Sequence, residues 1–373
     1  MLIGIDAREL CGRPTGVGRY LERLLAAWAQ LPEARAHEFL LLAPGPPASA
    51  PPLRCTLRVL PGGRGTRWEQ LTLAGAVNRI RPHVLFAPGY SAPIRARAPV
   101  VLTLHDLSFL AHPEWFARRE RLRRAWLARL SARKARLVLT VSECIRSEIE
   151  MRLATPRARI RVIAHGIDAR DSAGNQPDSA AGRREPMVLF VGSIFNRRNV
   201  PDLLGAFALL AGRHPEVRLE VVGDNRTHPR QDIEGYARAL ALGDRVRIRA
   251  YEPDSVIDEL YRRAGAFAFL SDYEGFGLPP LEALAAGIPV VLTDTPVARE
   301  VFGAAAEYVP RGDRAAIAAR LEAVLFDQAV RRGALDRAPA VLARYSWERA
   351  ARETLAALQE AATDRVGNLR PEE

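Results

Sequence analysis

Two glutamates eight residues apart, Glu274 and Glu282, bracket a glycine-containing loop in LSDYEGFGLPPLEALAAGIPVV, residues 270–291. AGAFAFL, residues 264–270, reads as a short buried strand, and LPPLEALAA has the apolar spacing of a helix packed on a sheet. Between them, Gly275 and Gly277 let main chain approach a ligand, and the Pro279-Pro280 pair suits a helix start, where a missing N–H costs little. A strand, a glycine turn and a helix N-terminus aim free N–H groups and the helix dipole at an anion. Carboxylates accept hydrogen bonds from hydroxyls, so a polyhydroxylated ligand carrying phosphate suits this loop.

VGSIFNRRNV, residues 191–200, supplies the complementary charge. Arg197 and Arg198 stand ahead of a helix opened by Pro201, where two guanidiniums can hold a diphosphate bidentately and neutralise the charge on a departing nucleoside diphosphate. Adjacent arginines in an arginine-rich chain also commonly sit solvated on the surface. TLHDLSFLAHPEWF, residues 103–116, begins at a strand's C-terminal end and offers His105 to a sugar hydroxyl or a developing positive ring. A lone histidine is as readily structural. Asp106 suits orienting that loop better than nucleophilic attack. RPTGVGRY, residues 13–20, places Gly16 and Gly18 at a helix start, where a lone G-x-G serves a ligand or only the turn.

These residues need strands that end where they stand. LIGIDA, EFLLLA, CTLRVL, HVLFAP, VVLTLH, RLVLTV and RIRVIA are strand candidates in the first half, several apolar without alternation, as in a parallel sheet buried on both faces. Residues 169–186, ARDSAGNQPDSAAGRREP, are polar and aperiodic and read as a linker. The pattern then restarts with MVLFVG, VRLEVVG, VRIRAY, AGAFAFL, IPVVLT and AEYV, separated by helical segments. The expected organisation is α/β, two Rossmann-like doubly wound domains, residues 1–168 and 187–345, with strand C-terminal edges turned to a shared cleft. A last amphipathic helix and tail, 346–373, is expected to brace the first domain.

At 373 residues the chain suits two domains. No apolar run reaches the roughly 18 residues that span a bilayer, and MLIGIDA opens directly into a strand. Three scattered cysteines without metal-ligand spacing point to a reducing cytoplasm, with neither disulfide nor zinc. The net charge of +11 is uneven: residues 1–186 hold 30 Lys/Arg against 16 Asp/Glu, and residues 187–373 hold 24 against 27. The first half therefore faces something anionic, such as lipid headgroups, a phosphorylated acceptor or nucleic acid. Its densest stretch, 115–136, sets one acid, Glu120, among nine basic residues, with Leu122, Trp126 and Leu130 at helical spacing. That stripe either packs on the sheet beneath a solvated arginine face or, through residues 117–136, docks the protein at the inner face of an anionic membrane.

The E-x7-E loop resembles that of the family 4 retaining glycosyltransferases of the GT-B fold, closest to bacterial mannosyltransferase-like members, and the likeness covers most of the chain. It implies that Glu274 receives the donor sugar's hydroxyls, that the N–H groups of Gly275, Phe276 and Gly277 meet sugar and phosphate, and that Glu282 holds the ribose. GSIFNRRN resembles the family's G-[ST]-x-x-x-R-K-N, which places Gly192, Ser193, Arg197, Arg198 and Asn199 at the donor, with Arg198 in the usual lysine place. HDLSF with HPEWF looks like a first-domain mannosyltransferase signature and gives His105 an active-site role. The TGVGRY loop implies donor contacts from Gly16 and Val17, and TVSECIR an acceptor or loop-support role for Ser142 and Arg146. No cofactor or metal beyond a nucleoside diphosphate sugar is implied, with GDP-mannose favoured over UDP-sugars and a carbohydrate or lipid-linked acceptor. Two other classes remain beside this one: a nucleotide-sugar 2-epimerase, against which the E-x7-E loop argues, and a basic nucleic-acid-binding protein, for which no recognisable module is present.

Overall fold

The computed structural model describes residues 1–12, 16–167 and 184–367, with the side chains of the last helix described through residue 363. Two compact units divide the chain: residues 1–111, 118–166 and the C-terminal stretch from Tyr345 form one, and residues 112–117 with 167–344 form the other. Most of the expected linker, 169–186, lies outside the described residues. Its last two residues, Glu185 and Pro186, are strand, Glu185 pairing in register with Ala264.

In the first unit, β1 (Leu2–Asp6), β2 (Glu38–Ala43), β3 (Thr56–Val59), β4 (Val84–Ala87), β5 (Val100–Leu104), β6 (Leu137–Thr140) and β7 (Ile160–Val162) form a parallel sheet in the order β3-β2-β1-β4-β5-β6-β7. β4, β5 and β6 are buried along their whole length, which is why their sequences are continuous apolar runs. Helix Gly16–Gln30 lays Tyr20, Leu21, Leu24, Leu25 and Trp28 into this core. The final helix, Trp347–Gly367, returns to the same core with Ala351, Leu355 and Leu358. Trp28 stacks on Phe39 with centroids 5.3 Å apart and donates its indole N–H to the Ala351 carbonyl at 2.9 Å. The polar end of a large buried ring is thereby satisfied by the helix that covers it.

The second unit repeats the plan with β8 (Glu185–Val191), β9 (Arg218–Val222), β10 (Val246–Arg249), β11 (Ala264–Phe269), β12 (Val290–Thr293) and β13 (Ala306–Val309), all parallel, in the order β10-β9-β8-β11-β12-β13. Phe190, Phe267 and Phe269 stack through its centre, 5.6 to 6.3 Å between neighbouring centroids. Strand order reverses between β1 and β4 in the first sheet and between β8 and β11 in the second. The crevice beyond the strand ends at such a point is where sheets of this kind bind ligands.

Candidate active site

The loops after β8 and β11 leave that point of the second sheet and are fastened to each other. Asp272 donates its backbone N–H to the Arg197 carbonyl at 2.8 Å, and the Asn199 side-chain amide donates to the Leu270 carbonyl at 2.9 Å. Asn199 itself adopts a left-handed conformation, φ +47°, which ends the turn Asn196–Arg198 and starts helix Val200–Arg213.

The fastening brings both arginines onto Glu274. Arg198 Nε donates to Glu274 Oε1 at 2.9 Å, Arg197 Nε lies 3.5 Å from the same oxygen, and Ser271 Oγ is 2.9 Å away. Arg198 also donates to the Ser193 carbonyl at 2.8 Å and lies over the Phe269 ring, 4.7 Å from its centroid. Gly192 sits at φ +135°, a conformation that favours glycine, and a Cβ there would lie 2.5 Å from Arg198 Nη1 and push that guanidinium aside. Burial alone would raise the Glu274 carboxyl, but the charges of Arg198 and then Arg197, with hydrogen bonds from Arg198 and Ser271, bring it down to about 2. The cluster therefore carries one net positive charge at neutral pH.

Gly277, at φ +99°, caps helix Leu278–Ala285 and aims its first N–H groups at the same crevice. Glu282 is half-buried within this helix, with the Tyr261 hydroxyl 3.5 Å from its Oε2. Phe276 turns its ring into the core, 5 % exposed, and leaves its main chain to the loop. With Glu274 and Phe302 it lines a cavity of about 20 Å³, room for a water and no more. Asp272 of the DYE triplet pairs with Arg311 at 2.7 Å. Among the described residues no group of three or more His, Cys, Asp or Glu is arranged to hold a metal ion.

The HPEWF residues belong with this unit, not with the strand that precedes them in sequence. His112 stacks on Trp115 at 4.0 Å, and both rings face Tyr273, next to Glu274, at 5.2 and 6.5 Å. Aromatic packing on Tyr273 outweighs chain proximity, so this half of the expected first-domain signature borders the glycine loop that carries Glu274.

In the first unit, the half-buried His105 follows β5; its Nε2 lies 2.8 Å from the Pro88 carbonyl, which fixes the tautomer with hydrogen on Nε2. Its ring stacks against His165 at 5.4 Å and meets Tyr20 edge-on at 4.8 Å. Burial lowers the proton affinity of both imidazoles, that of His165 further because His105 lies beside it, so both are neutral. Asp106 accepts from Tyr90 Oη at 3.0 Å and from the Ser108 N–H and hydroxyl at 2.9 and 2.7 Å, and thus holds its own loop. Ser142 caps helix Glu143–Leu153 by accepting from the Ile145 N–H at 3.3 Å, and Arg146 pairs with Glu143 on that helix. Gly16 is exposed at the start of its helix and Val17 half-buried, while residues 13–15 of that loop lie outside the described residues.

One cluster has no counterpart in the sequence reading. Arg8 pairs with Asp6, at the end of β1, at 2.7 Å and with Glu69, which also accepts from Ser91 Oγ at 2.7 Å. Asp6 and Glu69 are 2 % and 1 % exposed. Burial, with Glu69 adding to it and Arg8 opposing it, pushes the Asp6 carboxyl up to about 6. The only signal was polar residues directly after an apolar strand.

Comparison with known proteins places this geometry. Residues 14–171 match the family model described as glycosyltransferase family 4, and residues 173–339 the model described as glycosyl transferases group 1. Over 293 residues the chain is 30% identical to the O-antigen chain mannosyltransferase B of Escherichia coli, covering 76% of this chain and 75% of that one. The chain is a family 4 glycosyltransferase. This glycosyltransferase is also 27% identical over 243 residues to a GDP-mannose:cellobiosyl-diphosphopolyprenol alpha-mannosyltransferase of Komagataeibacter xylinus, spanning 62% of its own length and 59% of that relative's. Its fold is that of HepE from Anabaena, solved with UDP and glucose, at TM-score 0.69 and 19% identity over 99% of both chains. The two parallel-sheet units are thus the two halves of a GT-B glycosyltransferase.

Proposed function

We propose that this glycosyltransferase moves a hexose, with mannose from GDP-mannose the best candidate, from a nucleoside diphosphate sugar to a carbohydrate or lipid-linked acceptor, with retention of anomeric configuration. The observation that carries the reading is the convergence of Arg197 and Arg198 on Glu274 in a crevice with one surplus positive charge. An incoming diphosphate replaces Glu274 as the counter-ion of the two guanidiniums. Glu274, released from them, turns its acceptor oxygens to the sugar hydroxyls, and Glu282 takes the ribose. As the glycosidic C–O bond lengthens, charge grows on the β-phosphate oxygen and both arginines bind it more tightly than in the ground state, which lowers the barrier.

Glu274 is held by two cations, and Asp272 of the same loop is paired with Arg311. The reading therefore assigns deprotonation of the acceptor hydroxyl to the departing diphosphate on the same face of the sugar. The arginines supply the cationic role in leaving-group departure. Mannose is favoured by the HDLSF and HPEWF motifs and by the names of the two relatives above; a UDP-hexose is the second reading, favoured by the ligands of HepE. Slow donor hydrolysis tests both. With GDP-mannose and UDP-glucose offered separately, release of GDP and first appearance of α-mannose by NMR is expected. Release of UDP alone would move the donor to a UDP-sugar, and first appearance of the β-anomer would end the retaining reading.

A further inference from the structure

Helix Arg118–Lys134 buries one face, Ala125, Leu127, Ala128, Ser131 and Ala132, against its own unit. Of the stripe whose packing the sequence left open, Leu122 and Trp126 face outward, 53 % and 57 % exposed, and Leu130 is half-buried. Arg119, Leu122, Trp126, Arg129 and Arg133, at steps of three and four, form one exposed face, two apolar residues flanked by three cations. Glu120, the helix's one acid, is paired with Arg124 at 2.8 Å and offsets none of them.

At its C-terminal end the same face runs into a cleft of about 600 Å³ beside the start of β5 and β6. Arg97, Arg133, Lys134, Arg136 and Arg159 line it, with Glu360 the lining acid. Glu360 is paired with Arg161 at 2.6 Å, and Arg159 is committed to the last carbonyls of the helix, donating to those of Ala132 and Arg133 at 2.9 and 3.2 Å. Arg97, Arg133 and Lys134 are exposed and have no carboxylate partner among the described residues. Arg133 belongs to both features, so stripe and cleft are one surface.

We infer that this surface docks the protein on an anionic phospholipid bilayer, with Leu122 and Trp126 entering the interface and Arg97, Arg133 and Lys134 meeting headgroup phosphates. Tryptophan favours the headgroup level, where its ring is buried and its N–H stays wet, and each cation near an anionic leaflet adds to the attraction. A nucleic acid would use the cations but leave Leu122 without a partner. The inference does not depend on the donor site, which lies in the other unit.

The test uses the full chain with vesicles of phosphatidylglycerol mixed into phosphatidylcholine, and of phosphatidylcholine alone, at low and high salt. Sedimentation should show binding only to the anionic vesicles and loss of it at high salt. R97Q/R133Q/K134Q should bind roughly a hundredfold more weakly, about fivefold for each cation lost, while nucleotide binding in solution is unchanged. Brominated lipid should quench the native protein more than W126F, which assigns the quenching to that one of five tryptophans. Equal binding to neutral vesicles, no binding to either kind, or an unaltered triple variant would overturn the proposal. So would a triple variant that loses an RNA oligonucleotide and not the vesicles.

Discussion

The first strand of each sheet ends at a buried arginine–carboxylate cluster, and the two have opposite charge. In the first unit one arginine, Arg8, serves two acids, Asp6 and Glu69. In the second, two arginines, Arg197 and Arg198, serve one acid, Glu274. The carboxyl at the acid-rich site is pushed up to about 6 and the one at the arginine-rich site down to about 2. A buried cluster with a surplus charge is costly until something of opposite sign neutralises it. The first is relieved by a proton. In the proposed function the second is completed by the donor's diphosphate.

Removing a cation from the second cluster should have the largest effect. Arg198→Ala is expected to lower transfer by at least about a hundredfold, on the order of 3 kcal/mol of barrier, in a protein whose unfolding is still cooperative. Gly192→Ala should approach this loss without touching a charge, because its Cβ takes the place of Arg198 Nη1. Near-normal turnover in both would remove Arg198 from the mechanism.

Glu274→Gln sharpens the contrast. Turnover should fall by roughly tenfold or more as a charged acceptor for sugar hydroxyls is lost. Affinity for the free nucleoside diphosphate should be kept or increased, since its competitor for the guanidiniums is gone. Parallel loss of nucleotide affinity in calorimetry would mean that Glu274 does not compete with phosphate.

The pH dependence of stability comes next. Folded Asp6 holds its proton up to about pH 6, whereas unfolded aspartate releases it near 3.8, so its contribution is present at low pH and lost as pH rises between those values. Asp6→Asn should remove that fall, worth about 1.4 kcal/mol per unit of pKa difference. Glu274 acts in the other direction: its contribution is present above about 4.5 and lost as pH falls toward 2. Denaturant titrations of native and variant protein across this range separate the two; an identical slope in Asp6→Asn would contradict the first assignment. The smallest effect is expected of Ser271→Ala, which removes one hydrogen bond to Glu274, about 1 kcal/mol, seen as a few-fold change in KM.

The second cluster could be read in the sequence and the first could not, and the reason is local. Arg197, Arg198 and Glu274 stand in loops directly after apolar strands, among glycines that mark close approach, so residue type and place agree. Glu69 is 61 residues from Arg8 in a helical stretch of ordinary composition, and only the folded sheet brings them together. The parallel sheets were legible because strands buried on both faces are apolar throughout. Periodicity left Leu122 and Trp126 open, since helical spacing says which residues share a face and not whether that face is covered. It was also blind to residues 112–117, where stacking on Tyr273 decides the partner. Ser142 and Arg146 carried a motif's promise, and their contacts in the structure are a helix cap and an ion pair on that helix.

The most direct test is calorimetric titration of the native protein and Arg198→Ala with GDP and UDP, each repeated with EDTA. The account predicts that the native protein binds one nucleotide with an affinity unchanged by chelation, and that the variant loses at least about tenfold of it, the equivalent of 1.4 kcal/mol. Equal binding by the two proteins, or binding abolished by EDTA, would contradict the claim that the arginine pair completes itself with the donor diphosphate.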